Sequence, residues 1–375
     1  MYQICKNCVM DTSAPKIKFD NEGACDYCYN YHTNIFPNWF PNEHGQKLLE
    51  PVIDKIKASA NGQNNDCLIG VSGGADSSYL LYIAKEKFGL NPLAFHVDAG
   101  WNSQISVNNI ERLVDGLGID LYTEVINWKE MKDLQLSFFK AQVPHLDAPQ
   151  DHVFFASLYN FAVKNGIKFI LTGQNYSTEC VREPLDWVYH ASDLRQLRDI
   201  HSNFGTKSLD TYPTADIFKY KIYYRIVKGM EVVKPLNYVQ YNKDQAMKLL
   251  EKKYDFIPYA HKHYESRFTR FFEGYWLPNK FGYDKRRSHF SSLILTKQMS
   301  REEAISELEM PAYNEDEMQK DFKFVAKKLD LTETELKKLF DGKNRTYKDY
   351  KNNMFLINLG AKIMTLFNEN HQLMK

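Results

Sequence analysis

Several things are missing from this 375-residue sequence, and each absence narrows the functions open to it. Charge of one sign is missing: 48 Lys and Arg face 47 Asp and Glu, a formal net charge of +1. The composition therefore makes no electrostatic case for a stable nucleic-acid partner or a membrane surface. Long apolar runs are missing too, none reaching the ~18 residues of a spanning helix. The polar N-terminus has no signal-peptide pattern, so a cytoplasmic protein without membrane insertion is expected. Cysteine is scarce, six in all, and its spacing does not suit a secreted disulfide scaffold. No internal repeat or low-complexity segment is evident. The length is enough to bury a sizeable core, as one large domain with additions or as two domains.

The cysteines that are present come in pairs. Cys5-x-x-Cys8 and Cys25-x-x-Cys28 form two knuckles joined by a short arm, while Cys67 and Cys180 stand alone. Four thiolates so spaced can surround one tetrahedral zinc ion. The metal would then stabilise a segment too small for a core of its own. All four ligands come from protein, leaving no position for water, so the expected zinc is structural. An iron–sulfur centre or redox chemistry at the same cysteines stays open at this point.

After an Asn-, Pro- and aromatic-rich connector over 29–43, a helical pattern covers 44–60 and strands and helices begin to alternate. Strands are expected at Cys67–Val71, Pro92–Val97, Leu121–Ile126 and Lys168–Thr172. Helices are expected at Asp76–Phe88, Ile105–Leu117, about Lys129–Gln142, and Asp151–Asn165, with Gly89, Gly118 and Gly166 as stop signals. This alternation predicts an α/β fold: a parallel sheet with helices on both faces and ligands beyond the carboxyl ends of the strands. Past residue 180 the alternation fades. Helical patterns return at 242–253 and His261–Trp276, and capping boxes at Ser300/Glu303 and Thr332/Glu335 open a mainly helical C-terminal region. The last helix, Met354–Phe367, carries an apolar stripe expected to dock on the body.

The first strand runs into Ser72-Gly73-Gly74-Ala75-Asp76-Ser77-Ser78 at a helix start. Glycines let the backbone turn its N–H groups inward, and the helix start adds free N–H groups and a positive dipole end. Ser72, Ser77 and Ser78 offer hydroxyls to the same oxygens. The result is an anion cradle. Without a lysine it is not a Walker loop for terminal phosphoryl transfer, and without a third spaced glycine it is not the dinucleotide fingerprint. Asp76 makes sense beside a phosphate if it holds Mg²⁺.

These seven residues resemble the pyrophosphate loop of the ATP pyrophosphatase superfamily, whose fold is the adenine nucleotide alpha-hydrolase, or PP-loop, type. The resemblance implies ATP cleaved between its α- and β-phosphates with Mg²⁺, and a substrate oxygen activated as an adenylate before nitrogen or sulfur replaces it. It implies that Ser72, Gly73, Gly74, Asp76, Ser77 and Ser78 hold the pyrophosphate. It further implies that His96 and Asp98, after the second strand, line the adenosine pocket, and that Gly173 and Asn175, after the fourth, complete the site. Asp76 and Glu179 are then the candidate catalytic carboxylates, although Glu179 also reads as a solvated loop acid.

Two longer stretches narrow the resemblance. "CKNCVMDTSAPKIKFDNEGACDYC" and "NKFGYDKRRSHFSSLILTKQMSREEAISELEMP" are similar to the N-acetyl sugar amidotransferases of surface-polysaccharide and flagellin-glycan biosynthesis, a likeness running from residue 4 to about 311. That family implies ammonia attack on an adenylylated acetamido group of a nucleotide-activated sugar. The products are an acetamidino sugar, AMP and pyrophosphate. The sugar is either a diacetamido-uronic acid on UDP or a nine-carbon diacetamido acid on CMP. A separate glutaminase subunit and a barrel-like, ammonia-conducting companion are implied as partners, since no cysteine here sits on a nucleophile elbow.

Arg267, Arg270, Lys280, Asp284, Arg286 and Arg287 suit an anionic, polyhydroxylated substrate; the same residues also read as a charged turn and structural ion pairs. On this reading residues 1–43 are the zinc module and connector, 44–184 the ATP domain, 185–311 the substrate-binding region and 312–375 a helical tail. A homo-oligomer stays open. The second reading is a transfer-RNA thiolation enzyme using the same loop, with Cys180 as sulfur carrier, against which the near-neutral charge counts.

Overall fold

The computed structural model describes residues 2–60, 62, 64–259 and 265–367, with residues 361–367 as backbone alone. At the N-terminus, two antiparallel bridges, Ile4 with Asp11 and Phe19 with Cys25, and the short helix α1 (Asp26–Asn30) fold the cysteine arm on itself. Helix α2 (Glu43–Ser59) leads into the sheet, its first turn capped by Asn42 through the Gly45 N–H at 3.2 Å.

Five parallel strands form one sheet: β1 (Cys67–Gly70), β2 (Pro92–Asp98), β3 (Leu121–Val125), β4 (Phe169–Leu171) and β5 (Glu231–Val233), in the order β3-β2-β1-β4-β5. The chain steps outward from β1 to β2 to β3 through α3 (Ala75–Glu86) and α4 (Gln104–Leu117). It then returns to the other side of β1 through α5 (Trp128–Ala141) and α6 (Ala148–Lys164). The strand order thus reverses between β1 and β4, where such sheets open a crevice at the carboxyl ends of their strands.

Side chains alternate across the sheet as a two-residue period requires. Cys67, Ile69, Phe169 and Leu171 join α2, α3, α4 and α9 (Lys243–Tyr254) on one face. Leu68, Phe95, Val97 and Ile170 join α5, α6 and α8 (Leu194–Phe204) on the other. Burial on both faces explains why the central strands read as nearly continuous apolar runs. Helix α7 (Tyr176–Glu179) follows β4 directly.

The C-terminal region is helical as expected: α10 (Arg267–Phe271) continuing into a π-helical stretch over Phe272–Phe281, then α11 (Arg286–Leu295), α12 (Arg301–Glu309), α13 (Glu315–Lys328), α14 (Glu333–Phe340) and α15 (Met354–Phe367). Both capping boxes are present. Residues 260–264, at the start of the expected His261–Trp276 helix, lie outside the described residues.

Two points depart from the sequence reading. The sheet gains β5 from a region in which no strand was expected, because Glu-Val-Val is too short for a period to show. The expected docking of α15 is not what the described residues display: Phe355 is 77% exposed and Leu359 45%. The helix is tethered at its start, where Asp193 accepts from the Asn353 N–H at 2.6 Å.

Candidate active site

The glycine-serine loop sits at the crevice between β1 and β4. Gly73 has φ +79, and a Cβ there would fall 2.6 Å from the Ser106 carbonyl oxygen, so the tight turn against α4 admits only glycine. Ser72 and Ser77 brace the turn: the Ser72 N–H donates to Ser77 Oγ at 3.3 Å, and Ser77 Oγ donates to the Gly74 carbonyl at 3.2 Å. Gly74 is the N-cap of α3, so the first free N–H groups of that helix face the crevice. Ser78 is buried at 1% exposure, one turn further in. From β4, Gly173 closes on the same turn, where a Cβ would lie 3.0 Å from the Asp76 carbonyl carbon.

The end of β2 is pinned by a chain of hydrogen bonds. His96 Nδ1 lies 2.9 Å from the Val71 carbonyl, and Asn102 Nδ2 lies 2.9 Å from His96 Nε2. A carbonyl only accepts and an amide nitrogen only donates, so these two contacts suit the tautomer with its proton on Nδ1. The same Asn102 amide reaches Asp98 Oδ1 at 3.3 Å, and the Gly100 N–H donates to that oxygen at 2.8 Å. His96 and Asp98 therefore stand as a rigid wall one strand away from the loop.

One of the two expected catalytic carboxylates, Asp76, is held by a residue that sequence reasoning missed. Tyr241 donates its hydroxyl to Asp76 Oδ1. Burial first, then the charge and hydrogen bond of Asp76, then the charge of Glu179 push that phenol well above its ordinary range. Asn175 caps α7 through the Thr178 N–H at 2.9 Å, and Ser177 Oγ donates to the Tyr241 carbonyl at 2.8 Å, which fixes Glu179 at the rim. Lys234, immediately after β5, is also brought to Glu179. Burial and the nearby Arg182 lower its proton affinity, while Glu179 opposes them.

The six residues expected to bind substrate have protein partners. Arg267 and Arg270 both clamp the buried Asp321 of α13, at 2.8 and 2.6 Å. Lys280 donates to the Phe340 and Gly342 carbonyls at 2.6 and 2.7 Å. Arg286 pairs with Asp284 at 2.7 Å and donates to the Glu307 and Met310 carbonyls. Arg287 pairs with Asp11 of the cysteine module at 3.1 Å and donates to the Val9 carbonyl at 2.9 Å. These contacts hold helices together. Lys285 between them was not singled out. It lies 2.6 Å from Glu273, 3.2 Å from Glu183 and 3.8 Å from Asp147.

The four paired cysteines form one centre. Their Sγ atoms all lie within 4.8 Å of one another, with Cys5–Cys28 at 3.8 Å, Cys8–Cys25 at 3.6 Å and Cys25–Cys28 at 3.7 Å. A tetrahedron of zinc–sulfur bonds of about 2.3 Å has edges of about 3.8 Å. The thiols thus fit a single ion, and the space among them does not admit a multi-iron cluster with its own bridging sulfides. N–H groups of Asn7, Met10 and Cys25 donate to the sulfurs, as thiolates require. The module is bolted to the crevice by α11 and α12. Ser291 accepts from the Val9 N–H, Ser292 accepts from the Val181 N–H beside α7, and Arg301 donates to the Cys5 and Cys8 carbonyls. Cys67 and Cys180 are buried, and burial lifts the Cys180 thiol to about 11.

Comparison with known proteins finds likenesses over part or most of the chain. Residues 265–364 match the family described as "LPS biosynthesis protein WbpG-like, C-terminal domain". The chain is 25% identical over 185 residues to "Uncharacterized protein MJ1599" of Methanocaldococcus jannaschii, covering 48% of this chain and 62% of that protein. The chain thus spans less than two thirds of the length of that curated relative. Among solved structures it is similar to an NMN synthetase from Francisella tularensis (16% identity, 77% of this chain and 94% of that one, TM-score 0.34). It is also similar to the U34-tRNA thiolase NcsA from Methanococcus maripaludis (15% identity, 80% and 88%, TM-score 0.34). The architecture itself, a parallel sheet flanked by helices with an N-terminal four-cysteine centre and a helical C-terminal region, is of the PP-loop type.

Proposed function

We propose that the protein is an ATP-dependent amidotransferase that converts an acetamido group of a nucleotide-activated sugar into an acetamidino group, releasing AMP and pyrophosphate. The observation that carries this is the lysine-free anion loop at the β1/β4 crevice, with Asp76 held by the Tyr241 hydroxyl. The match of residues 265–364 to a lipopolysaccharide-biosynthesis family supports the sugar half of the reading.

In this reading the N–H groups of the loop and of α3, with the hydroxyls of Ser72, Ser77 and Ser78, hold the departing pyrophosphate in a preorganised, low-dielectric cradle. In this reading Asp76 would hold Mg²⁺, which when bound offsets phosphate charge, and Tyr241 orients its carboxylate. His96, held by its two hydrogen bonds, and Asp98 face the adenosine. An amide carbonyl is a poor electrophile because its nitrogen lone pair feeds the carbon. Transfer of AMP to its oxygen gives an imidate; ammonia adds to the carbon, AMP leaves, and a proton is lost. In this reading Glu179 accepts that proton, and Lys234 with Arg182 meets a carboxylate or phosphate of the sugar.

The four-thiolate centre holds zinc and serves structure, since every ligand is protein. Ammonia comes from a separate glutaminase through a companion subunit. Burial of the Cys180 thiol counts against the thiolation alternative, which would use it as sulfur carrier. The test is incubation with ATP, Mg²⁺, ammonium and a candidate sugar. Exchange of O for NH makes the product about 1 Da lighter, with one AMP per product. If both sugar classes keep their mass while a transfer RNA gains sulfur, the assignment is wrong.

A further inference from the structure

Glu265 has no role in the reading above, yet its side chain reaches the anion loop. Its Oε1 accepts from Ser72 Oγ at 3.3 Å, and a Cβ placed on Gly74 would meet that oxygen at 2.9 Å. Gly74 caps α3, a helix of 12 residues, so a carboxylate oxygen stands against the N-terminal cap of the helix that shapes the cradle. The backbone around Glu265 is anchored. Its carbonyl accepts from the Ser103 N–H at 3.0 Å, the Arg267 N–H donates to the Trp101 carbonyl at 3.2 Å, and Ser266 bridges Asn102. The residue cannot withdraw without breaking those contacts.

A polyphosphate arriving at this loop meets a negative charge already in place. Two like charges a few ångströms apart repel strongly wherever water is partly excluded. Repulsion is relieved if the carboxylate swings aside or if a divalent cation bridges it to the phosphate oxygens. Asp76, fixed by Tyr241 on the first turn of α3, supplies a carboxylate on the same loop.

We infer that Glu265 makes anion binding at the Ser72–Ser78 loop conditional on a divalent cation: it excludes free pyrophosphate and admits its magnesium complex. The inference rests on the proposal that this loop binds pyrophosphate. It identifies a binding residue well outside the loop's own sequence, and it accounts for an acid placed where an anion is to be held.

The experiment uses the full, zinc-loaded chain and inorganic pyrophosphate as the probe, followed by calorimetry in buffer freed of divalent cations by resin and again with Mg²⁺ added. A chelator is avoided because it would attack the cysteine centre. Glu265→Gln keeps the shape and removes the charge. Without Mg²⁺ it should bind pyrophosphate on the order of tenfold to a hundredfold more tightly than the natural chain. With Mg²⁺ the gap should close or reverse. Glu265→Ala should behave as the amide does, which excludes an effect of the new amide donor. Equal affinities of the natural and variant chains without Mg²⁺ would overturn the inference while leaving the loop assignment intact. No pyrophosphate binding by any of the chains, with or without Mg²⁺, would overturn the loop assignment itself and the role of Glu265 with it.

Discussion

Arg287 separates a structural bolt from a substrate ligand, and replacing it with methionine tests which it is. The guanidinium pairs at 3.1 Å with Asp11, whose side chain is only 2% exposed. It also donates to the Val9 carbonyl at 2.9 Å and to Tyr2 at 3.2 Å. Breaking a buried ion pair from one side costs about 3–5 kcal/mol, because the remaining charge has lost its partner. Asp11 keeps hydrogen bonds from Tyr2 at 2.8 Å and from the Ser13 N–H at 3.0 Å, which places the cost at the lower end of that range. Methionine preserves most of the apolar stem, so packing loss adds little. A penalty of about 3 kcal/mol on opening of the cysteine module corresponds to roughly a hundredfold in the opening equilibrium. Zinc release to a chromophoric chelator reads that opening directly. Arg287→Met should release zinc on the order of a hundred times faster in the regime where opening is a pre-equilibrium. An unchanged release rate, with only the KM for the sugar raised, would refute the structural account and restore the substrate role.

Other expectations follow from the same contacts. Cys25→Ser leaves three thiolates, so the purified protein should lose its one metal equivalent and melt at lower temperature; elemental analysis showing metal retained at one per chain would contradict the four-thiolate centre. Tyr241→Phe removes a hydrogen bond to a carboxylate, worth about 1.5–3 kcal/mol, and should raise the Mg²⁺ concentration needed for half-maximal turnover while leaving zinc content unchanged. Asp147 is pushed up to about 6, first by burial and then by Glu273 and Glu183 against the pull of Lys285. Its folded state therefore favours the neutral form, and the stability it contributes below pH ~4 is lost as pH rises through about 6. Comparing urea midpoints of the natural chain and Asp147→Asn from pH 4 to 8 should show the variant gaining relative stability across that window, and a constant difference would contradict the shift.

The parts of the fold that were legible are those coded locally. Ser300 with Glu303 and Thr332 with Glu335 marked helix starts because a cap acts within one turn, and Gly118, with φ +58, ended α4 where a left-handed residue was needed. The anion loop was legible because all seven of its residues are contiguous. Tyr241 was not, since it meets Asp76 from 165 positions away. The charged residues around 280–287 show the opposite limit. Composition alone makes a guanidinium equally suited to a sugar phosphate and to a buried aspartate. The placement of Asp321 under Arg267 and Arg270, and of Asp11 under Arg287, was not legible, because each partner lies far away in sequence. β5 escaped notice because three residues cannot establish an alternation, although they complete the sheet and bring Lys234 to Glu179.

The central claim is that the loop holds a leaving pyrophosphate rather than handing on a terminal phosphoryl group. The most direct measurement is phosphorus NMR of the products formed from ATP with Mg²⁺, ammonium and the acetamido sugar, for the natural chain and for Asp76→Asn. The account predicts AMP and pyrophosphate in equal amounts, matched to amidine formed, and a rate lowered on the order of a hundredfold or more in the variant. ADP and orthophosphate appearing in step with turnover would contradict it.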